Sequence, residues 1–298
     1  MAILSSINDF LKADVTFEEK EDYVEFPIAN PSKGIRDNAY YFNNREWAEE
    51  YLKYCHRNDK FKDRWSTAVG DLSGKVVVDI GCGPGNIFAT LDQKPDLLIG
   101  IDVAATSLKI ASSFNYLPVL ADATDLPFIS DFADVVTLNA TLHHCENMEA
   151  VLREAARIVK PGGLLVTDHD PQFSAWNYEG LAKILWNARL VIYKITGHGF
   201  HKSDDQQRAA LASEIHHQPG HGVTKKLFMD TLTPLGFSTK VYPHNHSSGS
   251  EIFNGEKGRS EFKYRVGNML SGRNPNADES ALSLMCVAQK LINGNGML

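Results

Sequence analysis

From Val76 to residue 170 the sequence alternates short apolar runs with segments of helical periodicity. Five such runs occur in this region: VVVDIG (76–81), LLIGID (97–102), LPVLAD (117–122), ADVVTLNA (133–140) and GLLVTDHD (163–170). Short runs separated by helical segments indicate βαβ units, which build a parallel sheet covered by helices on both faces. The pattern stops at Pro171 and resumes in two later runs, FSTKVYPH (237–244) and ALSLMCVAQK (281–290). We therefore expect a doubly wound, mostly parallel sheet of seven strands whose last strand is antiparallel.

The first run ends in a turn that carries three glycines. Gly81, Gly83 and Gly85 follow one another at alternate positions in VVVDIGCGPGN. Glycine adopts positive φ angles at no steric cost and lets a ligand approach the main chain. The helix that begins at about Asn86 adds unpaired N–H donors and a partial positive charge. The turn therefore predicts a site for an anionic group, such as a pyrophosphate or the carboxylate of an amino acid.

Polar side chains stand at the ends of the following strands. Asp102 ends the second strand, Asp122 the third and Asn139 the fourth. Ligands of open α/β sheets bind at this edge, and an acid about twenty residues after the glycine turn reaches ribose hydroxyls. Asp102 fits NAD as well as any other adenosine ligand, and an aspartate here can also cap a helix. Asp122 discriminates better, because a carboxylate at the third strand can accept a hydrogen bond from an adenine amino group.

Together these segments resemble the class I S-adenosylmethionine-dependent methyltransferases, in their small-molecule branch. The similar segments are VVVDIGCGPGN, GIDVAATSL, ADATDLPFISDFADVVTLNATLHH and LREAARIVKPGGLLVTD. The resemblance covers roughly residues 70–170 in motif and 224–290 in architecture alone. It implies a Rossmann-like core, S-adenosylmethionine as the methyl donor and S-adenosylhomocysteine as the product.

The resemblance also implies which positions meet the cofactor. They are Asp79, Gly81, Cys82, Gly83, Asp102, Val103, Asp122, Ala123 and Asn139. The three residues of the glycine turn would lie against the methionine part, with Asp79 orienting its amino group through water. Asp102 would bind both ribose hydroxyls, and Asp122 and its neighbour would meet the adenine edge. Val103 would flank the adenine ring, and Asn139 would line the floor near the sulfonium.

Two histidines near the strand ends are candidates for a general base. His143 follows the fourth strand, where the family commonly has LHH, so packing against the cofactor is the competing interpretation. His169 lies just past the fifth strand and is the stronger candidate. A sulfonium needs only a nucleophile held in line with its methyl group, so no metal is expected. Four further histidines could meet over the sheet edge: His216, His217, His244 and His246. No cysteine or clear set of carboxylates accompanies them, so a metal site is not expected there either.

Four regions follow from these assignments. Residues 1–70 form an N-terminal arm with helices, 71–170 the cofactor-binding core, 171–223 an inserted helical cap and 224–298 the rest of the sheet. Within the arm, 1–38 is polar and acidic and is expected to be a loop. Helical spacing over 39–56 places Trp47, Tyr51 and Tyr54 on one face.

The inserted segment and residues 30–47 of the arm are expected to form a mobile lid over the cofactor and the acceptor. The inserted segment pairs an apolar helix over 175–195 with two glycine-flanked stretches, at 197–199 and 219–222, that could serve as hinges. Closure over reactants is a common way to exclude water. The expected acceptor contacts are Tyr41, Trp176 and His217.

The composition of the chain limits the classes of partner that it is expected to bind. The 298-residue chain has a net charge of −7, which argues against non-specific nucleic-acid binding. The four cysteines form no CxxC pair, so a zinc knot is not expected and a reduced, cytoplasmic setting is the default. The N-terminus does not resemble a signal peptide, and no apolar run is long enough to insert through a membrane.

The sequence favours methyl transfer to an oxygen or nitrogen, with carbon as a further option. Aromatic residues in the arm and the cap suggest a small apolar or aromatic acceptor. Two alternatives stay open. An NAD-linked oxidoreductase would prefer GxGxxG and would not explain Asp122, and a non-catalytic cofactor-binding protein would keep the same motifs.

Overall fold

A nine-stranded mixed sheet forms the centre of the computed structural model, which describes residues 2–196, 203–217 and 220–292. In chain order its strands are β1 (Glu18–Glu19), β2 (Val24–Glu25), β3 (Val76–Ile80), β4 (Leu97–Asp102), β5 (Leu117–Leu120), β6 (Ala133–Asn139), β7 (Val159–Pro171), β8 (Phe237–His244) and β9 (Ser283–Lys290). In space they follow the order β1-β2-β5-β4-β3-β6-β7-β9-β8.

The α-helices of the described residues surround this sheet. They are α1 (Ala2–Ile7), α2 (Lys33–Phe42), α3 (Arg45–Tyr54), α4 (Asp59–Val69), α5 (Asn86–Leu91), α6 (Ala105–Ala111), α7 (Met148–Ile158), α8 (Phe173–Trp176), α9 (Gly180–Thr196), α10 (Asp204–Ser213), α11 (Lys225–Leu232) and α12 (Phe262–Leu270). Within the part of the chain that the structure describes, every helix is too short or too polar to cross a bilayer.

The seven predicted strands are all present, and the predicted sheet is confirmed. β5, β4, β3, β6 and β7 pair in parallel, whereas β9 runs antiparallel to both β7 and β8. Val77 packs in one apolar core with Phe61 and Trp65, while the neighbouring Val78 and Ile80 pack in the other. Cores on both faces explain why the first strand is a continuous apolar run.

The order of the strands creates a cleft at β3. From this strand the chain proceeds to β4 and β5 on one side of the sheet and to β6 and β7 on the other. The segments that leave β3 and β6 therefore diverge. Ligands bind at such switch points, outside the carboxyl ends of the strands.

The N-terminal arm is more structured than the sequence predicts. Residues 18–25 form a hairpin whose second strand pairs in parallel with β5, with Val24 opposite Val119. The prediction that 1–38 is a loop is therefore wrong there, and also at the start of α2. Strands of two residues have too little alternation to recognise, and the partner edge comes from a distant part of the chain.

The helix predicted over 39–56 is two helices. The side chain of Asn44 accepts a hydrogen bond from the Trp47 N–H and so starts α3 after the end of α2. Trp47 is buried, as expected from the apolar face. Tyr54 is 60% exposed, so it does not share that buried face. It is the last residue of α3, and the chain leaves the helix in an extended conformation at Cys55.

The segment after Pro171 contributes helices to two places. α10 packs against α2, whereas α9 packs against α12. The 175–195 helix is interrupted after α8, where the indole N–H of Trp176 donates to the Leu282 carbonyl at 2.9 Å. α12 lies between β8 and β9, in a stretch rich in glycine, serine and asparagine. The predicted hinge at 197–199 lies outside the described residues, as does Pro219 of the other.

Candidate functional site

A cavity of about 500 Å³ opens at the carboxyl ends of the central strands. All nine residues predicted at the cofactor line it: Asp79, Gly81, Cys82, Gly83, Asp102, Val103, Asp122, Ala123 and Asn139. Its volume is in the range of small-ligand sites. The structure thus brings the predicted set together around one space.

The N-terminal arm forms another wall of this cavity, in line with the expectation that residues 30–47 cover the cofactor and the acceptor. Its lining residues from the arm are Asn30, Ser32, Ile35, Asn38, Phe42 and Tyr51. The only sequence signal for this wall is the aromatic content of the arm, which does not distinguish packing from ligand contact.

The glycine turn has the backbone geometry that only glycine adopts easily. Gly81, Gly83 and Gly85 have φ angles of 66°, 52° and 93°. A Cβ on Gly81 would lie 2.4 Å from the Thr141 side chain, so no larger residue fits there. A Cβ on Gly83 would meet nothing within 4 Å among the described residues. The main chain at Gly83 is therefore accessible to a ligand from the cavity.

Asp102 connects the glycine turn to the second long strand. Its carboxylate accepts hydrogen bonds from the Gly83 N–H at 2.8 Å and from the Ala104 N–H at 2.9 Å. Burial raises the pKa of Asp102, and these backbone hydrogen bonds partly oppose the rise. Each carboxylate oxygen can accept more than one hydrogen bond. Asp102 can therefore hold the turn and still bind hydroxyl groups in the cavity.

Asp79 is buried at the end of β3 and shared between neighbouring segments. The Tyr116 hydroxyl donates to one of its oxygens at 2.6 Å, and the Thr137 hydroxyl donates to the other at 2.8 Å. Burial raises the pKa of Asp79 to about 7, although both hydrogen bonds act in the opposite direction. A carboxyl group held in this way can meet a positively charged amino group in the cavity.

Asn139 and Asp122 complete the polar edge. The Oδ1 atom of Asn139 is buried and has no hydrogen-bond partner in the described parts of the chain. Such an atom is costly unless a ligand or water supplies a donor. Asp122 holds its own loop, because its Oδ1 accepts from both the N–H and the hydroxyl of Thr124 at 2.8 Å. The open main chain and the unpaired amide oxygen both fit a bound polar ligand.

His169 lies in a buried ionic network and is not among the residues that line the cavity. Its Nδ1 is 3.2 Å from Asp168 Oδ2, and the same carboxylate accepts from Arg64 Nε at 2.9 Å and contacts His244 Nε2 at 2.6 Å. The imidazole of His56 packs against it, with centroids 4.3 Å apart. Burial lowers the pKa of His169 to about 3. These contacts favour a structural role for this histidine.

His143 and His144 form a second cluster, next to the cavity, and His144 lines it. His143 Nδ1 lies 2.8 Å from Asp170 Oδ1, and His144 Nδ1 lies 2.8 Å from the Ser213 carbonyl. His143 Nε2 is 4.0 Å from Glu214 Oε2, and this carboxylate also bonds His217 Nδ1. Burial lowers the pKa of both His143 and His144 to about 4.

The four histidines that could have met over the sheet edge are divided between these clusters. His217 joins the cluster of His143, and His216 pairs with the exposed His221 at 3.3 Å between Nδ1 atoms. His244 and His246 join His169 instead, with the His246 ring stacked on it at 4.9 Å. Glu214 is the residue that sequence analysis missed. It lies beside the histidines in EIHHQPGHG, but no local pattern shows that it turns toward His143.

The three expected acceptor contacts lie outside the cavity lining. Tyr41 is buried against Trp47, with ring centroids 5.3 Å apart, and burial raises its pKa to about 12. Trp176 and His217 contact each other edge to face, with centroids 4.6 Å apart. Of the three, His217 is linked to the cluster of His143 beside the cavity, through its hydrogen bond to Glu214.

Comparison with known proteins agrees with this geometry. Residues 78–167 match the family described as "Methyltransferase domain". A ubiquinone biosynthesis O-methyltransferase of Pseudomonas fluorescens is 31% identical over 129 residues, which cover 40% of this chain and 55% of that protein. A tRNA (carboxymethyluridine(34)-5-O)-methyltransferase of Arabidopsis thaliana is 37% identical over 98 residues, or 32% of this chain and 24% of that protein. The chain thus spans about half the length of the first relative and less of the second.

A solved structure extends the likeness to the fold. Geranyl diphosphate C-methyltransferase from Streptomyces coelicolor A3(2) superposes with a TM-score of 0.54 at 11% identity, covering 89% of this chain and 100% of that one. That likeness concerns the fold alone. The match over 78–167 spans the glycine turn and the strands whose ends line the cavity. The chain therefore contains a class I S-adenosylmethionine-dependent methyltransferase domain.

Proposed function

We propose that this protein transfers a methyl group from S-adenosylmethionine to an oxygen of a small molecule. The observation that carries the proposal is the cavity at the switch point, where all nine positions expected at the cofactor meet. The O-methyltransferase relative supports oxygen as the atom methylated. Nitrogen and carbon are the other outcomes of an acceptor test.

The residues of the cavity have separate tasks in this proposal. S-adenosylmethionine supplies a methyl group on a positively charged sulfur. The glycine turn lies against the methionine part at Gly81 and Gly83, and Asp79 meets the amino group. Asp102 binds the ribose hydroxyls with the lone pairs that the backbone does not use. Asp122 accepts from the adenine amino group, and Asn139 offers its unpaired oxygen near the sulfur.

The acceptor is proposed to lie against the arm. Phe42 and Tyr51 provide aromatic surface on one wall, and His144 provides a polar group on another. This combination suits an apolar or aromatic body that carries one nucleophilic oxygen. In this proposal these three residues take the acceptor contacts that the sequence assigned to Tyr41, Trp176 and His217. The net charge of −7 favours a small molecule over tRNA as the acceptor.

Calorimetry tests the cofactor part of the proposal. We expect S-adenosylhomocysteine to bind one site per chain and NADH not to bind. Asp122→Asn should weaken binding roughly tenfold, because it replaces a charge-assisted hydrogen bond by a neutral one. Asp125→Asn is the matched control, since the Asp125 side chain is 84% exposed and should leave affinity unchanged. Binding of NADH without binding of S-adenosylhomocysteine would refute the proposal.

A transfer assay tests the acceptor part. The protein is incubated with methyl-labelled S-adenosylmethionine and either a small-molecule cell extract or bulk tRNA. We expect label in the small-molecule fraction, in a product whose methyl group is bound to oxygen. Label in tRNA alone would assign the domain to a nucleic acid. Cofactor binding without transfer to any fraction would support the non-catalytic alternative.

A further inference from the structure

Two histidines and a glutamate lie together beside the cavity and form a candidate metal site. One nitrogen of His143, one nitrogen of His144 and one carboxylate oxygen of Glu214 all lie within 4.8 Å of one another. The histidines belong to the turn that follows β6, and Glu214 ends α10. Two separate parts of the chain therefore supply the three groups.

The hydrogen bonds of the two rings determine which nitrogen is available. The Ser213 carbonyl can only accept a hydrogen bond, so His144 must carry its proton on Nδ1. The Asp170 carboxylate accepts in the same way from His143 Nδ1 at 2.8 Å. In the neutral rings, each Nε2 atom is then unprotonated and carries a lone pair that can bind a metal ion. Partners of this kind orient metal-binding histidines and raise their basicity.

The carboxylate of Glu214 supplies the negative charge of the cluster. It bonds His217 Nδ1, which fixes its position, and it retains lone pairs for another partner. Its side chain is 34% exposed, whereas that of His143 is 6% exposed. Solvent therefore reaches the cluster from the side of Glu214, which provides a path of entry for an ion.

We propose that His143 Nε2, His144 Nε2 and the Glu214 carboxylate bind a divalent transition-metal ion of the Zn²⁺ type. Two histidines and one carboxylate form a ligand set typical of open zinc sites, in which a further position is left for water or a substrate. This site differs from the sequence-based expectation that no metal takes part.

The geometry requires a modest closure on binding. Ligands at about 2.0–2.2 Å from a tetrahedral zinc ion lie about 3.3 Å from one another. His143 Nε2 and Glu214 Oε2 are 4.0 Å apart, so they must approach by less than about 1 Å. All three ligand atoms lie within 4.8 Å of one another, so no pair has to approach by more than about 1.5 Å, and the partly exposed Glu214 side chain can supply part of this movement.

A metal here would act on the acceptor, and this role rests on the proposed function. His144 lines the cavity, so an oxygen of the acceptor could occupy the open position of the ion. Coordination lowers the pKa of a bound hydroxyl and so favours the nucleophilic alkoxide or phenolate. Metal binding itself does not depend on the transfer reaction.

Titration of the chelator-treated protein with Co²⁺ and Zn²⁺ tests the site without any assay of activity. We expect one Co²⁺ per chain with visible absorption bands, displaced by one Zn²⁺. Glu214→Gln and His144→Asn should each weaken Zn²⁺ binding by at least tenfold. Asp170→Asn should weaken it roughly 10- to 100-fold by releasing the ring of His143.

The neighbouring pair of His216 and the exposed His221 provides the matched control. His221→Asn should leave Zn²⁺ binding unchanged. Loss of binding in this variant, absence of binding in the wild type, or equal affinity in wild type, Glu214→Gln and His144→Asn would each overturn the proposal. Binding of S-adenosylhomocysteine to each metal-free sample shows that the variant is folded. It also separates failure of the metal site from failure of the proposed function.

Discussion

The buried carboxyl of Asp79 predicts an unusual dependence of stability on pH. Its pKa is raised from an ordinary 3.8 to about 7 by burial. Between these pH values the folded protein holds a proton that the unfolded chain has lost. The free energy of unfolding therefore falls as pH rises from about 4 to about 7, and this contribution is constant above that range. Asp79→Asn removes the titrating group while keeping nearly the same shape.

The size of the effect follows from the pKa and the hydrogen bonds. The interval from 3.8 to about 7 corresponds to a penalty of up to about 4 kcal/mol for the ionised form at pH 8. Asparagine avoids this penalty but offers one acceptor and one donor group. One of the hydroxyls of Tyr116 and Thr137 must then turn to accept, at a cost of about 1 kcal/mol. At pH 5 the wild type already carries about 1.6 kcal/mol of this penalty, so we expect the variant to be within about 1 kcal/mol of the wild type at pH 5 and roughly 3 kcal/mol more stable at pH 8.

Denaturant unfolding of both proteins at the two pH values measures this change in the stability difference. The contributions of the other titrating groups to the free energy of unfolding cancel, because only the difference between variant and wild type is used. Asp79→Asn should also bind S-adenosylhomocysteine more weakly at pH 8, since the carboxylate that meets the amino group is lost. An equal stability difference at pH 5 and pH 8 would show that the pKa of Asp79 is not raised, and the reasoning would fail.

Two further substitutions probe the contacts around the site. Asp102→Ala leaves the Gly83 N–H without its acceptor, so we expect a loss of roughly 1–3 kcal/mol in the free energy of unfolding as well as weaker S-adenosylhomocysteine binding. Asp102→Asn should lose less stability. Unchanged affinity in both variants would mean that the acid only holds the turn. Arg64→Met leaves the buried charge of Asp168 without its guanidinium partner, at a cost of about 3–5 kcal/mol in chemical unfolding. Arg153→Ala, at an exposed pair, should cost under about 1 kcal/mol, and similar losses in the two variants would contradict the ionic network.

Local patterns determined the sheet and the edge at which its polar residues meet. Each long strand is an apolar run with a polar or glycine residue at its end, and in parallel strands these ends share one edge. The positions of Asp79, Asp102, Asp122 and Asn139 around one cavity therefore follow from the order of the strands. The positive φ at Gly81 is likewise predicted by the glycine turn, whereas the close approach of the Thr141 side chain to it is a tertiary contact.

Tertiary packing alone decided how the remaining histidines and acids are used. His169 was expected to face the acceptor, but Arg64, 105 residues before it, joins it to Asp168 in a buried network. Glu214 reaches His143 from the end of α10, which packs on α2 and is remote in sequence from the turn that carries the histidine. Contacts between distant helices depend on the shapes of their apolar faces. Those shapes leave no signal in the few residues around each polar group, so the second cluster could be found only in the folded chain.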